Sequence, residues 1–201
     1  HTITIGEEPV PLQLTVFLEG AYDTISGIMH DSLNANDLLP LEEPFSSLAI
    51  ERPDTTGEVV ITNILEQNNI VDWILIELRD QNYPSIILRT RAALLKRNGA
   101  IVDMDGQSPI SFDNLIHQPY YIALRHRNHL SIMTASAYHL DDTGLQLDFT
   151  NQVIPTYGND GQKIINGKSV MYSGDSNSDG IINASDQIIW KNHNGTTFDY
   201  L

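Results

Sequence analysis

Between Asp175 and Asp186 the chain reads DSNSDGIINASD, with oxygen-bearing side chains at the first, third, fifth, ninth and twelfth positions. A hard cation such as calcium takes six to eight oxygen ligands at about 2.3–2.6 Å, and a twelve-residue loop can wrap them around it. On that pattern Asp175, Asn177 and Asp179 supply side-chain oxygens and Ile181 its carbonyl. Asn183 acts directly or through water, and Asp186 closes the site. Gly180 stands sixth, where the loop must bend sharply, and Ile182 stands eighth, where it is expected to point into the core. The alternative is an Asx-rich turn that binds nothing, but the ligand positions, glycine and isoleucine all in register favour the metal. The helix that follows, Asp186 to His193, offers Ile188, Ile189 and Trp190 as anchors and should halt at Asn194-Gly195.

Other constellations carry weaker chemistry. Arg125-His126-Arg127-Asn128-His129 is a basic cluster in an acidic chain. Arg125 and Arg127 share one face of a strand and could contact an anion or a glycan; alternatively they pair with carboxylates such as Glu77 or Asp80 inside the fold. His126 and His129, three apart, would lie on opposite strand faces, a poor arrangement for a metal. Trp73, Tyr120 and Tyr121 could stack on sugar rings, but Trp73 lies in the most apolar segment and reads as core. Asp103 and Asp105 could form a hydrolytic carboxylate pair, yet they flank a turn where Asp105-Gly106 is ordinary turn chemistry. The sequence holds no G-x-S-x-G, no H-E-x-x-H and no phosphate-binding glycine loop.

The elements that must position these residues are mostly strands. Leu12 to Leu18 alternates apolar and polar, Val59–Thr62 reads as a short strand, and Val71–Leu78 is apolar on both faces, as a doubly covered strand would be. Ser85 to Lys96 contains good helix formers, but Asn98-Gly99 and the arm Ile101–Met104 make it half of a hairpin. Tyr120–Leu124 and Leu145–Phe149 are further strands, and Asn166-Gly167 turns a second hairpin between Lys163–Ile165 and Ser169–Tyr172. Helical period is confined to Thr24–Leu33 and the stretch after Asp186. Thr2–Ile5 alternates as a strand that could dock on its own sheet or on a neighbour's edge. The expected fold is all-β, an antiparallel β-sandwich over residues 1–160. Residues 161–201 are expected to add a hairpin and a single calcium-loop segment with its helix, packed on the sandwich.

Composition bounds the function. The chain has 201 residues, of which 41% are apolar, with 11 Lys+Arg against 26 Asp+Glu and a net charge of −15. That length can bury a real core. The charge argues against nucleic acid or an anionic membrane as partner and favours cations. The absence of cysteine excludes a disulfide framework, zinc-thiolate sites and thiol catalysis. No run approaches the roughly 18 apolar residues of a membrane helix.

Several segments carry a family resemblance: FLEGAY (Phe17–Tyr22), VDWILIELRD (Val71–Asp80), NGAIVDMDG (Asn98–Gly106), YIALRHRNHL (Tyr121–Leu130) and the run from Gly174. In this order, over roughly residues 12–190, they resemble a domain of large secreted or surface proteins of Bacteroidota, described as haemagglutinin-like or of unknown function. The loop itself, closing on Asp186 rather than Glu, is similar to a dockerin-type repeat. A dockerin module has two such loops and this chain has one, which argues against cohesin-type recognition. No sorting domain is recognisable after Leu201, so the resemblance leaves a trimmed chain or a minimal stand-alone subunit. It implies export to the cell surface or extracellular matrix and a non-catalytic role. With the charge and the loop, it leads to the expectation of a calcium-binding structural or adhesion subunit that self-associates into filaments or binds other surface proteins. The alternative is a glycan-binding module using Arg125 and Arg127, and a hydrolase built on Asp103 and Asp105 is the remotest reading.

Overall fold

A computed structural model describes residues 8–48, 53–54, 57–67 and 69–193. The expected strand at Thr2–Ile5 and the helix stop at Asn194-Gly195 lie outside the described residues. The first strands are β1 (Val10–Thr15), the short pair β2 (Tyr22–Asp23) and β3 (Ile28–Met29), then β4 (Ile70–Asp80), β5 (Ile87–Lys96), β6 (Ala100–Val102) and β7 (Ile110–Phe112). There follow β8 (Gln118–His126), β9 (His129–Met133), β10 (Tyr138–Leu140), β11 (Leu145–Asp148), β12 (Lys163–Ile165) and β13 (Lys168–Val170). Helices are α1 (Ser32–Ala35), α2 (Thr62–Gln67) and α3 (Ala184–His193).

The chain is all-β with a sandwich-like build and few helices. One nine-stranded sheet runs in the order β10-β8-β4-β5-β6-β1-β11, with β9 also on β8 and β7 also on β1. Its pairings are antiparallel except β1 with β11, which run parallel. Strand β4 is buried along almost its whole length, because each of its faces meets a separate core. Ile74, Ile76 and Leu78 enter a cluster that draws on every strand of the sheet, from Leu140 on β10 to Leu147 on β11. A long sheet folded over itself makes the two layers of a sandwich in this way. Ile70, Trp73 and Leu75 enter a second cluster, covered by Leu39, Phe45, Val60 and Leu65 from the segment before β4. The continuous apolar run of β4 thus has two covered faces, as its sequence requires.

Two local expectations give way to the structure. Of Thr24–Leu33, residues 24–27 make a tight reversal between β2 and β3, Ile28–Met29 is β3 itself, and helix begins only at Ser32 in α1. The Asp23 carboxylate accepts from the N–H groups of Ile25 and Ser26, and Gly27 takes a left-handed φ of 73°. Val59–Thr62 forms only a single bridge, Val59 to Glu42, before α2 begins. Here Val60 alone is drawn into the core while Val59 and Ile61 stay exposed.

The two Asn-Gly hairpins form as expected. Gly99 has φ 87°, and a Cβ there would stand 2.9 Å from the Val16 carbonyl, so the position excludes other residues. After β12–β13 the chain is stitched to the sandwich. Met171 N–H donates to Phe17 O at 2.8 Å, and Leu130 N–H to Tyr172 O at 2.8 Å. Val170 and Met171 are fully buried in the larger core.

Candidate metal centre

The loop leaves the sandwich through Gly174, whose N–H donates to Asn128 O at 3.1 Å. Asp175 follows and is 1% exposed. Its Oδ2 accepts from Gly180 N–H at 3.1 Å, while its Oδ1 is buried with no hydrogen-bond partner. Asp186, also buried, accepts from Asn177 N–H at 3.3 Å and Asn183 N–H at 2.8 Å. Asn177 Oδ1 accepts from Asp179 N–H, and its amide donates to Asp179 Oδ2 at 2.8 Å. Asp179 Oδ1 accepts from Ile181 N–H at 2.9 Å, and Asn183 Oδ1 from Ser185 N–H at 2.7 Å. These hydrogen bonds close the segment into a loop that carries the six expected ligand residues and bends through left-handed residues at Ser178 (φ 57°) and Gly180 (φ 83°).

The electrostatics of the loop invite a cation. Burial raises the Asp175 carboxyl above the ordinary carboxylate range, opposed by the Gly180 N–H and reinforced by the charges of Asp186 and Asp179. Asp186 is held below the range, chiefly by the Asn183 N–H. A buried carboxylate with an unpartnered oxygen and two like-charged neighbours is costly, and a divalent ion would relieve it. The donor set of carboxylates, amide oxygens and the Ile181 carbonyl has the all-oxygen chemistry of calcium. Among the described residues no three His, Cys, Asp or Glu side chains already converge as a metal-binding group. Here the carboxylates are held by loop N–H groups.

The expected apolar anchoring of this segment is not what holds it. Ile182 is 44% exposed, and Ile188 and Trp190 are each 59% exposed. Ile188, Ile189 and Trp190 are consecutive, about 100° apart around the helix, so they cannot form one inward stripe. Polar contacts attach the loop instead. Ser178 Oγ donates to Arg127 O at 2.6 Å, and Arg125 Nη1 donates to Ser178 O at 3.4 Å.

Arg125 and Arg127 both face inward. Arg125 Nε donates to Glu77 Oε1 at 3.0 Å, and Arg127 Nη2 to Asp72 Oδ2 at 3.3 Å. Glu77 and Asp72 are buried, and Arg79 also binds Glu77. The proposed glycan or anion contact is therefore replaced by internal ion pairing, with Glu77 as foreseen. Asp80 instead caps the β4–β5 turn through Asn82 and Tyr83 N–H. Asp72 is the partner that the sequence reading does not name. Two acids inside the apolar run VDWILIEL, matched by Arg125 and Arg127 on another strand, were the available signal.

The two histidines do not lie on opposite faces. A two-residue turn reverses the chain between them, so His126 and His129 pair across β8–β9 with Nδ1 atoms 3.1 Å apart. Gly20 N–H donates to His129 Nε2, which places the His129 proton on Nδ1, facing Asn128 Oδ1 at 2.7 Å. Asn128 N–H donates to His126 Nδ1, and His126 Nε2 lies 3.1 Å from Asp72 Oδ2 without hydrogen-bonding to it. The histidine pair is thus held by groups of the surrounding turns. It floors a cleft of about 260 Å³ whose rim includes His30, Ser32 and Leu33.

The remaining candidates are structural. Trp73 is 1% exposed, its Nε1–H donating to Pro40 O; Tyr120 is buried, with its hydroxyl on Ile116 O, and Tyr121 is half-buried. Asp103 is held by Arg91 through both oxygens, and Asp105 caps its turn through Gln107 and Ser108 N–H. Compared with known proteins, the chain matches no family model, no curated protein and no solved structure.

Proposed function

We propose that this chain is a secreted, non-enzymatic, calcium-binding β-sandwich that serves as a structural or adhesion subunit of a cell surface or extracellular matrix. The reading rests on the unpartnered, buried Oδ1 of Asp175 within a loop that carries the other expected oxygen donors at calcium-loop spacing. Asp175, Asn177, Asp179, Ile181, Asn183 and Asp186 would hold the ion, and the ion would supply the positive charge the loop lacks. Extracellular calcium modules have dissociation constants of about 10⁻⁴–10⁻³ M, which suits a site loaded outside the cell. The resemblance to Bacteroidota surface proteins supports the same setting. A net charge of −15 makes self-association into filaments sensitive to divalent ions. No helix among the described residues is long and apolar enough to cross a membrane.

Thermal unfolding with calcium and then with chelator tests this. With about 5 mM calcium and a dissociation constant near 0.3 mM, linkage adds roughly 1.7 kcal/mol. For a chain of this size that is about 3–7 °C in Tm. Asp175→Ala with Asp179→Ala should abolish the shift, and a double variant that keeps it would remove the loop as the calcium site. Light scattering on the same samples reads assembly: particles that dissolve on chelation support the filament role.

A further inference from the structure

We infer that Ser178, with Arg125, forms a latch that presets the calcium loop against the β8–β9 turn, so that ion binding and the stability of the sandwich are coupled through this one residue. The inference rests on the calcium reading and identifies residues outside the ligand set that govern it. Ser178 contributes none of the expected ligands, so the ion does not compete for it. It is nevertheless held in a left-handed conformation, φ 57°, which non-glycine residues adopt only where surrounding contacts enforce it. Two contacts do so. Its hydroxyl donates to Arg127 O at 2.6 Å, and its carbonyl accepts from Arg125 Nη1 at 3.4 Å.

Those contacts reach deep into the fold. Arg125 binds Glu77, which is fully buried on the central strand β4 and also binds Arg79. Arg127 binds Asp72 on the same strand. Gly174 N–H, at the loop entrance, binds Asn128 O in the same turn. The loop is thus gripped at its entrance and at its fourth residue by one hairpin end, whereas its apolar residues Ile181 and Ile182 are exposed. Holding an ion-free loop near its closed shape lowers the ordering cost of binding, and by linkage the ion then stabilises whatever holds the loop.

Ser178→Gly isolates the latch, since glycine accepts the same φ while lacking the hydroxyl. Ser176→Ala, another loop serine, serves as the control. In the full chain, calorimetric titration with calcium should show Ser178→Gly binding about two- to tenfold more weakly, the effect of one net hydrogen bond. Ser176→Ala should bind as the unmodified chain does. Hydrogen exchange gives the readout a merely local role would not move. Calcium should slow exchange of the amides in residues 125–130 of the unmodified chain and have little effect on them in Ser178→Gly. Equal affinity and equal calcium-induced protection in the two proteins would overturn the latch while leaving the calcium site standing. No calcium binding by the unmodified chain would overturn the latch together with the reading it rests on.

Discussion

Two sets of buried carboxylates in this molecule are neutralised in opposite ways. Glu77 and Asp72, on β4, receive cations from the chain itself: Arg79 and Arg125 for the first, Arg127 for the second. Asp175 is equally buried, yet it has one backbone N–H, one unpartnered oxygen and acidic neighbours. The first set is self-sufficient and serves the fold. The second receives no cationic side chain from the chain, which is what makes it a candidate binding site. The difference is one of supply: Arg125 and Arg127 stand between the two sets, and both turn their guanidinium groups toward β4.

The largest effect should come from breaking the self-sufficient set. Glu77→Gln keeps the side-chain volume but leaves Arg79 and Arg125 without their buried anion, which should cost about 3 kcal/mol, or roughly 6–12 °C in Tm. Because this charge is supplied internally, calcium should not restore the loss. Urea unfolding with and without calcium measures both points, and a cost below about 1 kcal/mol would mean that the pair contributes little.

How far these regions could be read in advance depended on how local the determinants were. The candidate loop is legible as a closed turn because all its oxygen positions lie within twelve residues, and the hairpins because Asn98-Gly99 and Asn166-Gly167 dictate their own turns. The double burial of β4 was legible because Val71–Leu78 has no polar face to expose. The histidine pair was misjudged because alternation of faces holds only along one strand, and Arg127-Asn128 reverses the chain between His126 and His129. The helix expected from Thr24 starts only at Ser32, because Asp23 offers the N–H groups of Ile25 and Ser26 a stronger local partner. The seating of α3 departs from expectation because Ile188, Ile189 and Trp190, though apolar, are spread about 100° apart around the helix and form no single inward stripe.

The histidine network makes a smaller, pH-dependent contribution. Burial, followed by the charges of its neighbours His126 and Arg127, pushes His129 well below its ordinary value of 6.5, with Asp72 opposing. A base with a lowered folded value binds fewer protons folded than unfolded. Its contribution is therefore present above about pH 6.5 and is lost as pH falls below that, by at most about 1.4 kcal/mol per pH unit. Stability against urea should decline in that window, and His129→Gln should flatten the decline, even though the variant is less stable at pH 8. An unchanged slope in the variant would assign the proton uptake to another group.

The smallest effect should come from the residue that sequence reasoning made an anchor. If polar contacts through Ser178 seat the calcium segment, the 59% exposed Trp190 bears little of the load. Trp190→Ala should then change stability by no more than about 0.5 kcal/mol, the range of surface substitutions, whether or not calcium is present. A truncation of an apolar side chain seated in a core would cost about 3–5 kcal/mol, so the two accounts are well separated. A loss of that size, appearing only with calcium, would mean that ion binding carries α3 onto an apolar seat and that its helix joins the sandwich in the loaded state. A small loss in both conditions leaves the attachment where the distances put it, at Ser178 and the turn between Arg125 and Asn128.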